Sequence, residues 1–241
     1  MNSPTTNFNG APAMPSRRGV APITPFYRRA RAFSRGLFAF WFRWRRIGLE
    51  NIPPEGPVLL AANHVSFIDP PMVGSAVDRT VSFLARDTLF SVPVVGTVIR
   101  KLNAVPVDRD GGGGAGLKAI LDRLKAGGCI VLFPEGTRSV DGQLQRARSG
   151  IGLTVLKSEA VVVPVRVFGA YEAFGRHRKF PLPGQVTLKF GPPLTFQRER
   201  EEAATCSKAR LKEIYQEVAD RVMEGIAKIE RAEAVHCFPP R

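Results

Sequence analysis

The feature that most limits the fold is a series of short apolar runs, each closed by polar or turn residues and separated from the next by a segment of helical character. Pro57 to Asn63 (PVLLAAN), Cys129 to Phe133 and the nearly all-apolar Val161 to Phe168 are the clearest. Continuous apolar runs of this length suit strands buried on both faces, as in a parallel sheet. Thr80 to Ala85, Ala104 to Val107 and a weaker Gln185 to Phe190 extend the strand set. Between them, Asp69-Pro70-Pro71 supplies a cap residue and then prolines that a helix tolerates in its first turn. Val94 to Leu102, Ala115 to Ala126 and Gly150 to Ser158 read as helices. Residues from about 200 to 232 read as one charged helix with Leu211, Ile214, Val218, Val222 and Ile226 on one face. This alternation predicts an α/β fold with a mostly parallel central sheet flanked by helices, spanning residues 48–232. Gly111 to Gly114 match neither a P-loop nor a dinucleotide fingerprint and read as a flexible link.

Ahead of this domain the chain changes character. Residues 1–23 are rich in Pro, Ser, Asn and Thr and read as a disordered lead-in, and residues 233–241 as a tail. Nine arginines precede the first acidic residue, Glu50. Within residues 24–47, Phe26, Ala30, Phe33, Leu37, Phe40, Trp41 and Trp44 recur at helical steps, while Arg28, Arg31, Arg35, Arg43 and Arg46 lie on the other side. Such a helix suits the interface of an anionic bilayer. Phe38 and Phe42 fall on the arginine side, a pattern that also fits a helix packed on the core. The two readings hold together if those phenylalanines face the core and the stripe faces outward.

Basic residues number 35 against 21 acidic, a formal net charge of +14, which points to an anionic partner. Cys129, Cys206 and Cys237 are far apart, without metal or redox spacing, and fit a thiol-reducing compartment. The three histidines are equally scattered, so no metal site is expected. No secretory signal is visible, and no apolar run is long enough to span a bilayer.

Three segments carry chemistry, each at the end of an apolar strand, where open α/β sheets place ligands. In Asn63-His64-Val65-Ser66-Phe67-Ile68-Asp69, a tight turn can bring the Asp69 carboxylate to one imidazole nitrogen of His64. That would fix the tautomer and leave the other nitrogen to take a proton. Alternatively, Asp69 caps the helix that follows. In Phe133-Pro134-Glu135-Gly136-Thr137-Arg138-Ser139, a strand turns sharply while presenting Arg138 beside backbone N–H groups, an arrangement suited to a phosphate. Val105-Pro106-Val107-Asp108-Arg109, with Arg86 further upstream, offers either a second phosphate contact or a local pair of Arg109 with Asp108 or Asp110.

The order of these blocks resembles the signature of the glycerolipid acyltransferase family, which includes lysophosphatidic acid acyltransferases. Asn63-His64 with Asp69 resembles its first block. Phe83-Leu84-Ala85-Arg86, Pro93, Gly96 and Val107-Asp108-Arg109 resemble the second, Phe133 to Arg138 the third, and Val162-Val163-Pro164-Val165 the fourth, covering about Gly48 to Gly169. The resemblance implies that His64 is the general base toward the acceptor hydroxyl and that Asp69 orients it. It also implies that Arg109, Glu135, Gly136, Thr137 and Arg138 bind the acceptor's glycerol phosphate. Asn63, Ser66, Arg86 and Pro164 would support the site. Arg86 stands where many members have Lys, and Arg148-Ser149-Gly150 replaces a Lys-rich approach to glycine.

Acyl transfer from a thioester needs no covalent enzyme intermediate, because the thiol already leaves well. A positioned base contributes ~10²–10⁴-fold, and each oxyanion donor on the order of 3 kcal/mol. The expected activity is acyl transfer from acyl-CoA or acyl-carrier protein to a lysophospholipid hydroxyl, with no cofactor. The first-choice acceptor is 1-acyl-glycerol-3-phosphate; lyso-ornithine lipid or lysophosphatidylethanolamine is the alternative. The expected location is peripheral, on the cytoplasmic face of a membrane. A serine hydrolase is disfavoured because the chain has no Gly-x-Ser-x-Gly elbow. A non-catalytic basic membrane module is also weighed, whereas nucleic acid is not an expected partner, because charge supports it but no recognition motif does.

Overall fold

The computed structural model describes residues 23–107 and 114–231. The expected lead-in, the tail, most of the glycine link and Arg109 lie outside them. The described elements are α1 (Pro25–Phe42), β1 (Arg45–Ile47), β2 (Val58–Ala62), α2 (Asp69–Ala76), β3 (Val81–Arg86), α3 (Val95–Lys101), β4 (Ala104–Val107), α4 (Gly114–Lys125), β5 (Cys129–Leu132), α5 (Ser149–Leu156), β6 (Val161–Phe168), α6 (Ala170–Phe174), β7 (Thr187–Phe190), α7 (Gln197–Thr205) and α8 (Lys208–Ala227). Short 3₁₀ turns follow β1 and β3.

The strands form a seven-stranded sheet in the order β1-β7-β6-β2-β5-β3-β4. The five from β6 to β4 run parallel; β7 is antiparallel to β6, and β1 follows the direction of β7. Side chains alternate between two buried layers. Val58, Leu60, Ala62, Val131, Val163 and Val165 face α1, α2 and α6. Leu59, Ala61, Ile130 and Val162 face α4, α5 and α8, where Ile214, Val218, Val222 and Ile226 lie fully buried. A central strand covered on both sides needs apolar residues at every position, which is why β2 and β5 are unbroken apolar runs.

Two expected helices differ in extent. The helix expected over 24–47 ends at Phe42, because Arg43 takes a left-handed conformation and Arg45–Ile47 pair with β7 as an edge strand. The helix expected over 200–232 is two helices. Ser207 interrupts it and caps α8 by accepting the Arg210 N–H, since a serine hydroxyl competes for backbone donors better than it continues a helix.

The arginine face of α1 is turned partly onto the protein. Arg35 donates to the carbonyls of Ser75, Ala76 and Val77 and to Asp78, while Arg31 and Arg46 reach Val77 and Ala76. These are carbonyls at the C-terminal end of α2, which has no cation of its own in its last turn. They present unpaired acceptors and the negative end of the helix dipole. On the same side Phe38 and Phe42 are buried in the core, whereas Phe33, Leu37 and Phe40 remain exposed. Part of the stripe, Phe33, Leu37 and Phe40, thus faces away from the two buried phenylalanines, whereas Trp44 packs on Phe38 with ring centroids 5.6 Å apart. No helix among the described residues is long and apolar enough to cross a membrane.

The contact between α5 and α8 yields a test. A Cβ added at Gly152 would lie 1.9 Å from the Tyr215 backbone oxygen. Ala for Gly inside a helix ordinarily stabilises by up to ~1 kcal/mol. Here Gly152→Ala is expected to destabilise by ~1–3 kcal/mol through overpacking, read as a lower urea midpoint. A raised midpoint would refute the close approach.

Candidate active site

Register brings the first and third blocks together. β2 and β5 are neighbours with Ala61 opposite Leu132, so three residues further on His64 stands beside Glu135. The His64 N–H donates to Glu135 Oε1 at 3.2 Å, the His64 carbonyl accepts the Ser139 N–H at 2.7 Å, and the His64 ring stacks on Phe133 at 4.0 Å between centroids. The histidine loop and the Glu-Gly-Thr-Arg turn thus share one cleft.

The expected histidine–carboxylate pair is present. His64 Nδ1 lies 2.9 Å from Asp69 Oδ2, and the same oxygen accepts the N–H groups of Val65 and Ser66 at 2.7 Å each. Asp69 is the first residue of α2 but does not cap it, since its side chain turns back into the loop. An acceptor already serving two backbone donors takes the proton-bearing Nδ1 as its third, which leaves the Nε2 lone pair available as a base. The ring is 16% exposed, so a reactant can reach it. Asn63 extends the sheet with its side chain, accepting the Val167 N–H and donating to the Val167 carbonyl. Ser66 Oγ donates to the Phe174 carbonyl at 2.6 Å. Both residues hold the loop, and neither is directed at a reactant.

Glu135 is only 2% exposed, which does not suit a direct phosphate contact. Its carboxyl is pushed up to about 7, first by burial and then by the nearby Asp69 charge, against the lowering effects of the His64 N–H and Arg166. Gly136 has a positive φ of 72°, and a Cβ there would meet the Arg148 side chain at 2.8 Å. The glycine therefore lets Arg148 cross the turn. Arg138 lies over the Phe67 ring, its guanidinium carbon 3.3 Å from the centroid, and Thr137 is half-buried beside it.

A cavity of about 500 Å³ opens from His64 and runs between α4 and α5, lined by Leu117, Ile120, Leu132, Ile151 and Leu153 among others. Arg148 stands on its wall, as do Val107 and Gly114, the residues flanking the segment that contains Arg109. Arg86 is exposed at the end of β3, paired with Val107. Pro164 is not part of the cleft. It lies in β6 opposite Ala61, with its ring near Gly191 and Gly225 on the α8 side. The sequence reading did not single out Phe133, Arg148 or Arg166 as site residues. The signal that places them is the adjacency of β2, β5 and β6, and strand order is not written in any one segment.

Fold and cleft together place a carboxylate-aligned imidazole beside an apolar cavity at the ends of the central strands of an α/β sheet. The chain belongs to the acyltransferase family, whose sequence model matches residues 43–168. It is similar to the 1-acyl-sn-glycerol-3-phosphate acyltransferase of Bacillus subtilis, 27% identical over 184 residues, 76% of this chain and 87% of that one. It is also similar to the chloroplastic 1-acyl-sn-glycerol-3-phosphate acyltransferase LPAT1 of Arabidopsis thaliana, 33% identical over 125 residues, 51% of this chain and 35% of that one. The match thus spans about a third of the chloroplast protein's length. The crystal structure of the 1-acyl-sn-glycerophosphate acyltransferase PlsC from Thermotoga maritima superimposes with a TM-score of 0.65 at 29% identity, covering 85% of this chain and 81% of that one.

The buried acid yields a test with a definite sign. Unfolded, Glu135 loses its proton near the ordinary 4.5; folded, it keeps the proton up to about 7. The folded state then binds more protons across that window, so the Glu135 contribution to stability is full below 4.5 and is lost as pH rises to 7. Glu135→Gln is expected to flatten stability over that range in urea titrations at successive pH values. An unchanged slope would remove the buried-acid assignment.

Proposed function

We propose that this protein transfers a fatty acyl group from a thioester donor, acyl-CoA or acyl-carrier protein, to the free hydroxyl of a lysophospholipid, with 1-acyl-glycerol-3-phosphate as acceptor. The observation that carries this reading is the His64–Asp69 pair, with its free imidazole nitrogen at the rim of an apolar cavity. Nε2 takes the hydroxyl proton as the oxygen attacks the thioester carbonyl. The C–O bond forms, the C–S bond breaks, and the imidazolium returns the proton to the departing thiolate. Asp69 stabilises the imidazolium while its two backbone hydrogen bonds hold it still. The cavity volume falls within the ~300–1,000 Å³ range of small-molecule sites, and its apolar lining suits an acyl chain. Arg148 on the cavity wall and Arg138 of the adjoining turn serve as phosphate contacts in this reading, and the family resemblance adds Arg86 and Arg109 of the second block. Glu135 acts on the histidine loop rather than on the acceptor. The names of the Bacillus and Thermotoga relatives support the acceptor choice.

The same reading places the enzyme peripherally on the cytoplasmic face of an anionic membrane, with the exposed stripe of α1 in the interface. Phe33 is 73% and Phe40 81% exposed, an arrangement that suits burial in lipid.

His64→Ala is expected to lower transfer at least ~10²-fold, measured with labelled acyl-CoA or acyl-carrier protein and 1-acyl-glycerol-3-phosphate. Near-normal turnover would end the assignment. Deleting residues 1–46 is a poor test of the membrane role, because it removes core residues Phe38 and Phe42. The double variant Phe33→Ser, Phe40→Ser leaves the core intact and is expected to weaken binding to phosphatidylglycerol vesicles at least tenfold. Unchanged sedimentation with vesicles would exclude α1 as the anchor.

A further inference from the structure

Arg31 and Arg35 of α1 are committed to the protein, so further charge toward an anionic surface would come from elsewhere. The segment Gly175-Arg176-His177-Arg178-Lys179-Phe180-Pro181-Leu182-Pro183, between α6 and β7, supplies it. No acidic residue occurs between Glu172 and Glu199. Phe180 is 78% exposed; Leu182 is exposed too, as are Arg176 and Lys179.

This is a built loop. Its two ends are pinned by the Leu182 N–H donating to the Ala173 carbonyl at 2.9 Å, and a turn closes from the Arg178 N–H to the Gly175 carbonyl. Arg178 Nε donates to the Glu172 carbonyl, and the His177 ring lies against Tyr171. Pro181 and Pro183 fix φ on either side of Leu182 and lower the cost of holding it in place. An exposed phenylalanine held outward by such scaffolding is not a packing remnant.

Its position is the second observation. On one side the loop leads into the end of α1, where the Gly184 and Val186 N–H groups donate to the carbonyls of Trp41 and Phe42. On the other it adjoins the catalytic turn. Arg176 donates to the Arg138 carbonyl, and Phe174, just before the loop, meets Phe67 ring to ring and accepts the Ser66 hydroxyl. The loop therefore bridges the C-terminal end of α1 and the turns that carry Arg138 and Ser66.

We propose that residues 175–183 form a second lipid-contact element. Phe180 and Leu182 enter the acyl region, while the exposed Arg176 and Lys179 meet anionic headgroups, so that the cleft mouth sits at the bilayer surface. The proposal rests on the reading of α1 as the first contact. Two contacts separated along the surface fix orientation, which one helix free to roll about its axis does not.

The experiment compares the full chain with Phe180→Ser/Leu182→Ser and with Lys179→Gln, using phosphatidylglycerol and phosphatidylcholine vesicles at several salt concentrations. The first variant is expected to bind both vesicle types roughly tenfold more weakly or worse. The second is expected to lose about fivefold on phosphatidylglycerol alone, and less as salt rises. Melting temperatures should stay at the parent value, since all three side chains are exposed. Loop variants that bind within twofold of the parent, while the α1 double variant loses binding, overturn the loop and leave α1 standing. A parent chain that binds neither vesicle removes both. A loop effect confined to the KM for acyl-carrier protein, with vesicle binding unchanged, also overturns the proposal, since the basic loop would then serve an acidic protein.

Discussion

The site depends on two adjacent parallel strands in register. With Ala61 opposite Leu132, the chain leaves both strands at the same level, and the loops that follow are bound to meet. The His64 N–H to Glu135 bond and the Ser139 N–H to His64 bond then tie them together from both sides. A base must be held to a few tenths of an ångström to be effective, and loops are ordinarily the least rigid parts of a fold. Here the backbone of His64 is fixed by the opposite loop, while its ring is fixed by its own loop through Asp69. These are two independent constraints on one imidazole.

That arrangement explains why the third-block glutamate is buried. A carboxyl shielded from water holds its proton to higher pH, so burial raises Glu135 to about 7 and lowers the negative charge it brings to the cleft. Gly136 follows for a related reason, because the Arg148 side chain lies across the turn where any Cβ would stand. The turn thus lets Arg148 reach the cavity wall while its one acid stays buried.

Much of the fold was legible in the chain, for identifiable reasons. Buried parallel strands must be apolar throughout, so β2, β5 and β6 stand out, and Val161–Phe168 agrees residue for residue. The β1 strand was not legible: Arg45–Ile47 has three residues, two of them arginine, and pairs only because β7 offers an open edge. The break at Ser207 was missed because the apolar period of α8 runs on smoothly behind it. In the site, spacing alone brought Asp69 to His64, since both lie in one loop. Arg166, whose place depends on strand order, left no local mark, and Phe133 stood in the third block with nothing local to show that its ring stacks on His64. Pro164 sits in the fourth block yet faces α8, because side chains alternate across the sheet and proline falls on the far side.

The arginines of α1 show how far composition can mislead about charge. Counted along the sequence they form a basic face suited to lipid, but Arg31 and Arg35, joined by Arg46 of β1, reach back toward the end of α2, where carbonyls without intrahelical partners would otherwise be left unsatisfied. Their positive charge is partly spent inside the molecule, and the outward face of α1 is aromatic. A surface that is aromatic on one element and basic on the next can still be amphipathic as a whole, provided the fold brings the two elements side by side. The hydrogen bonds from Gly184 and Val186 to the end of α1 do that, joining the helix, through the loop before β7, to the turn that holds His64. Amphipathicity is then a property of the folded surface, and the helical pattern read from α1 alone describes half of it.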